Sequence, residues 1–212
     1  MKTGIIFDLD GTLLDTLGDL CDSVNETLRH FGYPERTLEE VRRFVGNGAM
    51  QLIRLSVPEG EDPAEPFAYF REYYNAHCRI RTKPYDGILA ALDGLKEAYP
   101  VAIVSNKPDA SVKQLCADYF PGIWALGEAS GCPRKPAPDM VYKAMRHLGV
   151  ERCIYVGDSE VDILTAQNAN IPCLSVLWGF RSREILEQTG GQHFCETPNQ
   201  LTEKLEEMIH VQ

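Results

Sequence analysis

Three features that would direct a chain toward whole classes of function are missing here. Net positive charge is the first: 21 Lys and Arg stand against 31 Asp and Glu, giving a net charge of −10. Nucleic acid and anionic membrane both need a basic face, so neither is expected as a partner. A small anion held by a few local lysines remains compatible with that balance. Long apolar runs are the second absence. None approaches the length of a membrane span, and Asp8 and Asp10 interrupt any secretory leader in the first residues. The third is paired cysteine. Cys21, Cys78, Cys116, Cys132, Cys153, Cys173 and Cys195 are odd in number, scattered, and never spaced C-x-x-C. They read as small buried hydrophobes in a reducing compartment, with no zinc site, and a cytoplasmic location is expected. Internal repeats and low-complexity segments are also lacking. What remains, 44% apolar and 25% charged over 212 residues, is ordinary globular composition with room for one core, or a core and a small insertion.

The stretch that organises the rest is at the start. Gly4 to Phe7 is uncharged and rich in β-branched and aromatic side chains, so it reads as a buried parallel strand. Gly11 breaks it, after Asp8 and Asp10. Residues two apart in an extended chain share a side, so the two carboxylates should project together. So close a pair repels itself unless a cation sits between, and hard oxygen ligands suit magnesium. An Asx-type turn at Asp10-Gly11 is the structural alternative.

Beyond this strand, residues 16 to 82 show helical spacing only. Leu17, Leu20, Cys21, Val24, Leu28 and Phe31 form one apolar face, and Thr37 with Glu40 is a capping box for a second helix. Gly46-Asn47-Gly48 stops that helix, a third stretch reaches Val57, and a fourth runs through Phe67, Phe70, Tyr74 and Cys78 to about Thr82. After Pro84 the pattern changes. Apolar strands at Pro100 to Val104, Ile123 to Leu126, Cys153 to Val156 and Pro172 to Leu177 alternate with helices at Ile88 to Leu95, Asp109 to Tyr119, Pro138 to Leu148, Val161 to Asn168 and Leu201 to Ile209. Alternation of this kind implies right-handed crossovers and a parallel sheet covered on both faces. The expected fold is α/β: a Rossmann-like parallel sheet with helices on both faces, plus a small all-helical cap inserted after the first strand. The expected division is 1–15 and 84–212 for the core and 16–83 for the cap.

Polar residues gather where strands end. Ser105-Asn106-Lys107 follows one strand, Gly157-Asp158-Ser159 another, and Arg134-Lys135-Pro136 precedes a helix. Parallel strands put their carboxyl ends on one edge, so Asp8, Asp10, Ser105 and Asp158 should converge. Each also has a structural reading: Ser105 and Asp158 as helix N-caps, Lys135 as a solvated turn charge, Asp162 as first-turn charge. As a set they suit phosphoryl transfer. A hydroxyl and backbone N–H groups hold phosphate oxygens, a lysine screens charge, carboxylates hold magnesium, one aspartate attacks phosphorus and Asp10 moves a proton.

On these residues the chain resembles the haloacid dehalogenase superfamily over nearly its whole length. Asp8-Leu9-Asp10-Gly11-Thr12 is similar to that superfamily's first motif, Ser105-Asn106-Lys107 to its second, Lys135-Pro136 to its third, and Gly157 to Asp162 to its fourth. The resemblance implies Asp8 as nucleophile, Asp10 as general acid/base, Ser105 as phosphate ligand and Lys135 as the lysine orienting Asp8. It further implies Mg2+ held by Asp8, Asp158, the backbone carbonyl of Asp10, and Asp162 close behind. Thr12, Asn106, Lys107, Gly46, Asn47 and Gly48 are expected at the substrate. Having both Asp8 and Asp10 points to phosphatase rather than dehalogenase chemistry.

Val45 to Gly48, Ser105 to Pro108 and Trp178-Gly179-Phe180-Arg181 look like the phosphoglycolate phosphatase group. Asn170 stands where such relatives commonly have Gly, a place Asn tolerates. The expected partner is a small phosphorylated metabolite, phosphoglycolate first, and the chain is expected to be a monomer or small homo-oligomer. A phosphomutase of the β-phosphoglucomutase type, a pyrophosphatase, or a catalytically idle binding module are the alternatives.

Overall fold

The computed structural model describes residues 2–129 and 131–211. The chain opens with β1 (Thr3–Phe7), a two-residue strand β2 (Leu14–Asp15), and four helices, α1 (Leu17–His30), α2 (Leu38–Phe44), α3 (Ala49–Ser56) and α4 (Ala64–His77). It returns through β3 (Lys83–Pro84) into α5 (Ile88–Ala98), β4 (Val101–Pro108), α6 (Asp109–Tyr119), β5 (Trp124–Glu128) and α7 (Asp139–Leu148). The last part comprises β6 (Arg152–Gly157), α8 (Glu160–Ala169), β7 (Cys173–Val176), α9 (Arg183–Gln188), β8 (His193–Cys195) and, after a 3-10 turn, α10 (Leu201–Val211).

Six strands form one sheet in the order β5-β4-β1-β6-β7-β8, with all pairings parallel. β1 lies between β4 and β6, with Ile5 opposite Val101 on one side and Ile154 on the other. The chain passes to one side of β1 first and to the other later, so the sheet has its switch point there, where open α/β sheets bind ligands. Alternation along the strands fills both faces. Ile5, Phe7, Ile103, Ile154 and Val156 pack into one core with Leu92, Leu95, Leu115, Leu201 and Leu205. Ile6, Ala102, Val104 and Tyr155 pack into a second with Met140, Val141, Ala144 and Ala166. The fold is therefore α/β with a doubly covered parallel sheet, and the helical cap is inserted after its first strand.

The two chain crossings between cap and sheet lie side by side. β2 and β3 pair antiparallel, Leu14 opposite Pro84 and Asp15 opposite Lys83. Asp19 on α1 reinforces the return. Its carboxylate is buried and accepts from the backbone N–H groups of Ile80 (3.1 Å), Arg81 (2.8 Å) and Thr82 (2.9 Å). Those donors are taken by a distant side chain rather than by the helix, which is why α4 ends at His77 and not near Thr82.

Other boundaries follow local chemistry. The Thr37 and Glu40 capping box opens α2, Gly149 closes α7 in the left-handed region, and Asn170 closes α8 at φ 56°. Pro138 lies one position before α7, as its N-cap. The strand expected to end at Val104 continues through Ser105-Asn106-Lys107 to Pro108. Ser105 is thus a strand residue and not a helix N-cap, because the backbone stays extended beyond it. Asp158 is not an N-cap either: Ser159 takes that position for α8.

Candidate active site

β1 delivers Asp8 to the sheet's carboxyl edge, where its N–H donates to Val156 O (2.8 Å). The chain then turns out of the sheet. The N–H groups of Leu13 and Leu14 both donate to Leu9 O, and Gly11 N–H donates to Leu14 O. Asp8 and Asp10 both line the cavity between cap and core, but a turn rather than strand alternation places them there.

Each carboxylate has its own lysine. Lys135 Nζ donates to Asp8 Oδ1 (2.8 Å), to Asp162 Oδ1 (2.7 Å) and to Tyr155 OH (2.9 Å). Lys107 Nζ donates to Asp10 Oδ1 (2.8 Å) and lies 4.6 Å from the centre of the Tyr74 ring. Both lysines are buried. Burial works against the charged ammonium in each case. Asp162 and Asp8 nevertheless hold the Lys135 pKa well above the usual lysine value, and Asp10 and Tyr74 raise that of Lys107.

Asp158 completes the acidic cluster. One oxygen accepts from Phe180 N–H (2.7 Å), and the other accepts weakly from the Thr12 hydroxyl (3.4 Å). Two glycines are required around it. Gly11, at φ +81°, and Gly179 both back onto Asp158, and a Cβ at either would strike its side chain. Asp162 is held from both ends, Oδ1 by Lys135 and Oδ2 by the Ser159 N–H (3.1 Å) and hydroxyl (2.6 Å).

Carboxylate oxygens of Asp8, Asp158 and Asp162 lie within 4.8 Å of one another, all buried. Among the described residues only Lys135 bridges into this group, so two negative charges are left over when all three are ionised. The electrostatics register the deficit. Burial pushes the Asp8 carboxyl up to about 7, with Lys135 pulling it down and Asp162 pushing it further up. Burial, then Asp162 and Asp8, push Asp158 well above the carboxylate range. A cluster of hard oxygen donors short of positive charge fits a small divalent cation. The Asp10 carboxylate is not part of the cluster, being occupied with Lys107.

Of the residues singled out from the sequence, all but Thr12, Asn47 and Asp162 line this one cavity. Thr12 is fully buried and serves Asp158 instead; its carbonyl also accepts from Trp178 Nε1 (3.0 Å). Asn47 is exposed on the cap loop, while Gly46 and Gly48 on either side of it face the cavity. Ser105 is buried, its hydroxyl accepting from Lys107 N–H (3.2 Å). Asn106 Nδ2 donates to Lys135 O (2.9 Å) and Gly46 O (3.1 Å), and its Oδ1 accepts from Lys135 N–H (2.8 Å).

The sequence left several contributors unremarked. Leu20, Phe70 and Tyr74 supply the cap wall, but their helical spacing reads only as core. Tyr155, which braces Lys135, is simply one more strand residue in the sequence. Arg181 and Glu160 pair at 2.8 Å beside the cavity. Of these two, Arg181 had a signal only as the end of the Trp178 to Arg181 run.

The chain is similar to known proteins in sequence and in fold. The profile of the family described as haloacid dehalogenase-like hydrolase matches residues 5–176. A phosphoglycolate phosphatase of Rhodobacter capsulatus is 38% identical over 197 residues, covering 87% of this chain and 89% of that protein. Another, of Colwellia psychrerythraea, is 30% identical over 94% of this chain and 95% of its own. A crystal structure from Lactobacillus delbrueckii subsp. bulgaricus, bearing the provisional name phosphoglycolate phosphatase, superposes with a TM-score of 0.90 at 36% identity, covering 97% of this chain and 99% of that one.

Proposed function

The chain belongs to the haloacid dehalogenase-like hydrolase family and is a phosphatase, and from that premise we propose that it is a magnesium-dependent hydrolase of small phosphomonoesters, phosphoglycolate first. The observation that carries this reading is the Asp8 carboxylate. It sits at the end of β1, 2.8 Å from Lys135 and within one cluster with Asp158 and Asp162. On this reading Asp8, Asp158 and the Asp10 backbone carbonyl hold the cation, with Asp162 behind them. When bound, the cation screens the negative charge that phosphate and carboxylates bring together.

The protein groups then have distinct tasks. Lys135 holds one oxygen of Asp8, leaving the other free to attack phosphorus and form an acyl phosphate. Ser105 and the N–H groups of Leu9 and Asp10 accommodate the phosphoryl oxygens. Asp10, as its carboxylic acid, gives a proton to the departing alkoxide, and the carboxylate so formed accepts one from the water that cleaves the acyl phosphate. Lys107 keeps that carboxylate in place. Phe70 and the cap loop at Gly46 and Gly48 shut the cavity from bulk water.

Size and chemistry of the cavity support a short acidic leaving group. Its volume is about 50 Å³, room for only a few waters. The cap wall is apolar at Leu20, Val45, Ala49 and Phe70, and Lys107 and Tyr74 add polar character. A carboxylate beside Lys107 would be favourably placed, whereas a sugar or nucleoside needs more space. Names of the relatives support the same substrate. A cytoplasmic setting is supported by seven cysteines that are all free, six of them buried. No helix of the described residues is long and apolar enough to cross a membrane.

The deciding experiment is a phosphate-release screen over phosphoglycolate, sugar phosphates, nucleotides and pyrophosphate, with Asp8→Asn as control. Preferred release from phosphoglycolate supports the reading. Isomerised sugar phosphate without free phosphate would place the chain among mutases, and release from pyrophosphate alone would make it a pyrophosphatase.

A further inference from the structure

Arg181 has no assigned role, yet it is the most heavily engaged side chain at the junction of cap and core. It sits in the loop after β7 with its side chain only 7% exposed. On one side it grips Glu160, Nε to Oε2 at 2.8 Å and Nη2 to Oε1 at 3.3 Å. On the other it reaches into the cap. Nη1 donates to Arg42 O (2.8 Å), and Nη2 donates to Val45 O (2.6 Å) and Arg43 O (3.4 Å). These carbonyls belong to the carboxyl end of α2, which leaves its last acceptors without partners in the helix and carries partial negative charge. A guanidinium answers both needs.

The residue beside Arg181 connects this grip to the acidic cluster. Phe180 N–H donates to Asp158 Oδ2 at 2.7 Å, and Glu160 lies two positions after Asp158. A parallel link runs through Asn106, which binds Gly46 O with the same amide group that binds Lys135 O. Two successive cap carbonyls, Val45 and Gly46, are therefore held by two core side chains. Asn106 is bonded directly to the Lys135 backbone, and Arg181 is next in the chain to Phe180, whose N–H binds Asp158.

We infer that Arg181 is a positioning residue that makes cap closure and the setting of Asp158 a single event. With the cap shut, the guanidinium is pinned between α2 and Glu160, and the Phe180 N–H is fixed against Asp158. With the cap open, Arg181 loses the α2 carbonyls, and the loop carrying Phe180 is free to shift away from Asp158. The inference rests on the reading of Asp158 as a metal ligand and adds that the ligand is set by the cap.

Arg181→Met, which keeps the apolar stem, tests this in the full chain, together with Glu160→Gln, which loosens the guanidinium without removing it. Calorimetric titration with Mg2+ alone should show affinity weakened about 10-fold to 100-fold in Arg181→Met. The change should go the same way, and be smaller, in Glu160→Gln. Amide hydrogen exchange over residues 42–48 should speed up in both, and kcat on phosphoglycolate should fall with KM little changed. A purely structural clamp predicts a lower melting temperature with Mg2+ affinity and kcat unmoved in the folded variant, and that outcome overturns the inference alone. If Arg181→Met does not fold, Glu160→Gln decides on the same readouts. Wild-type protein that neither binds Mg2+ nor releases phosphate overturns the underlying functional reading, and the inference with it.

Discussion

Asp8 and Asp10, two positions apart in the chain, are held by different lysines: Lys135 reaches Asp8 from the turn before α7, and Lys107 reaches Asp10 from the end of β4, each at 2.8 Å. The separation gives two adjacent carboxylates unlike surroundings. Asp8 shares its lysine with Asp162 and belongs to the acidic cluster, whereas Asp10 shares its own with no other carboxylate among the described residues. Unlike surroundings are what a nucleophile and a proton-transfer group require of one another.

Replacing Asp8 by Asn removes the proposed attacking oxygen while keeping the shape. Phosphate release should fall by at least about 10³-fold, the scale seen when a nucleophile is deleted. The metal-free melting temperature should hold or rise, since a buried charge has gone. Steady-state kinetics and a thermal melt check both; an Asn variant with wild-type turnover would sink the mechanism.

In chelator, stability should fall as pH rises from about 4 to about 7. The Asp8 carboxyl is raised from 3.8 to about 7 in the folded protein. Between those values the native state holds a proton that the unfolded chain has released, so the stability is present below the lower value and is lost as pH passes the upper one. Adding Mg2+ should reverse the trend, because binding needs the ionised carboxylate and releases protons. Melting temperature against pH, with and without Mg2+, measures it. A metal-free melting point that climbs across that window would contradict the assignment.

Lys107→Met should lower the preference for phosphoglycolate over ethyl phosphate by about 10-fold, corresponding to one charge-assisted hydrogen bond. Turnover of both esters should also drop, because the Asp10 carboxylate loses its ion pair with Lys107. Comparing kcat/KM for the two esters separates the effects. An unchanged ratio would remove Lys107 from leaving-group recognition.

Asp19→Ala should destabilise the protein by about 2–4 kcal/mol, since three backbone N–H groups of the return segment lose a charged acceptor. Urea unfolding reads the loss directly. Limited proteolysis should then cut first near residues 79–83. A midpoint equal to wild type would show that water replaces the carboxylate at no cost.

How far the sequence reaches depends on the range of the interactions involved. Strands β1, β4 and β6 are continuous apolar runs, and α6 begins and ends where Asp109 and Tyr119 said it would, because period and caps are local. β8 and α9 have three and six residues, too few for a period to show. The end of α4 was misplaced because Asp19, sixty residues away, claims the backbone donors beyond it. At the site the strand ends bring Asp8, Ser105 and Asp158 together through sheet topology, and the turn after β1 adds Asp10. What topology does not give is pairing: nothing local joins Lys107 to Asp10, Tyr155 to Lys135, or Arg181 to the end of α2. Thr12 lies in the first motif, yet it contacts Asp158 rather than the cavity, since the turn after Asp10 carries it inward.

The paired strands β2 and β3 have an evolutionary consequence. Because both chain crossings pass through one antiparallel clip of two residues each, everything between Asp15 and Lys83 is a cassette whose chain enters and leaves the sheet at one place, with Arg181 and Asn106 as its further tethers. Lengthening, shortening or exchanging the cassette leaves strand order and register untouched. Selection can thus rewrite which molecules are admitted while the aspartates proposed to handle phosphorus stay where β1 and β6 put them.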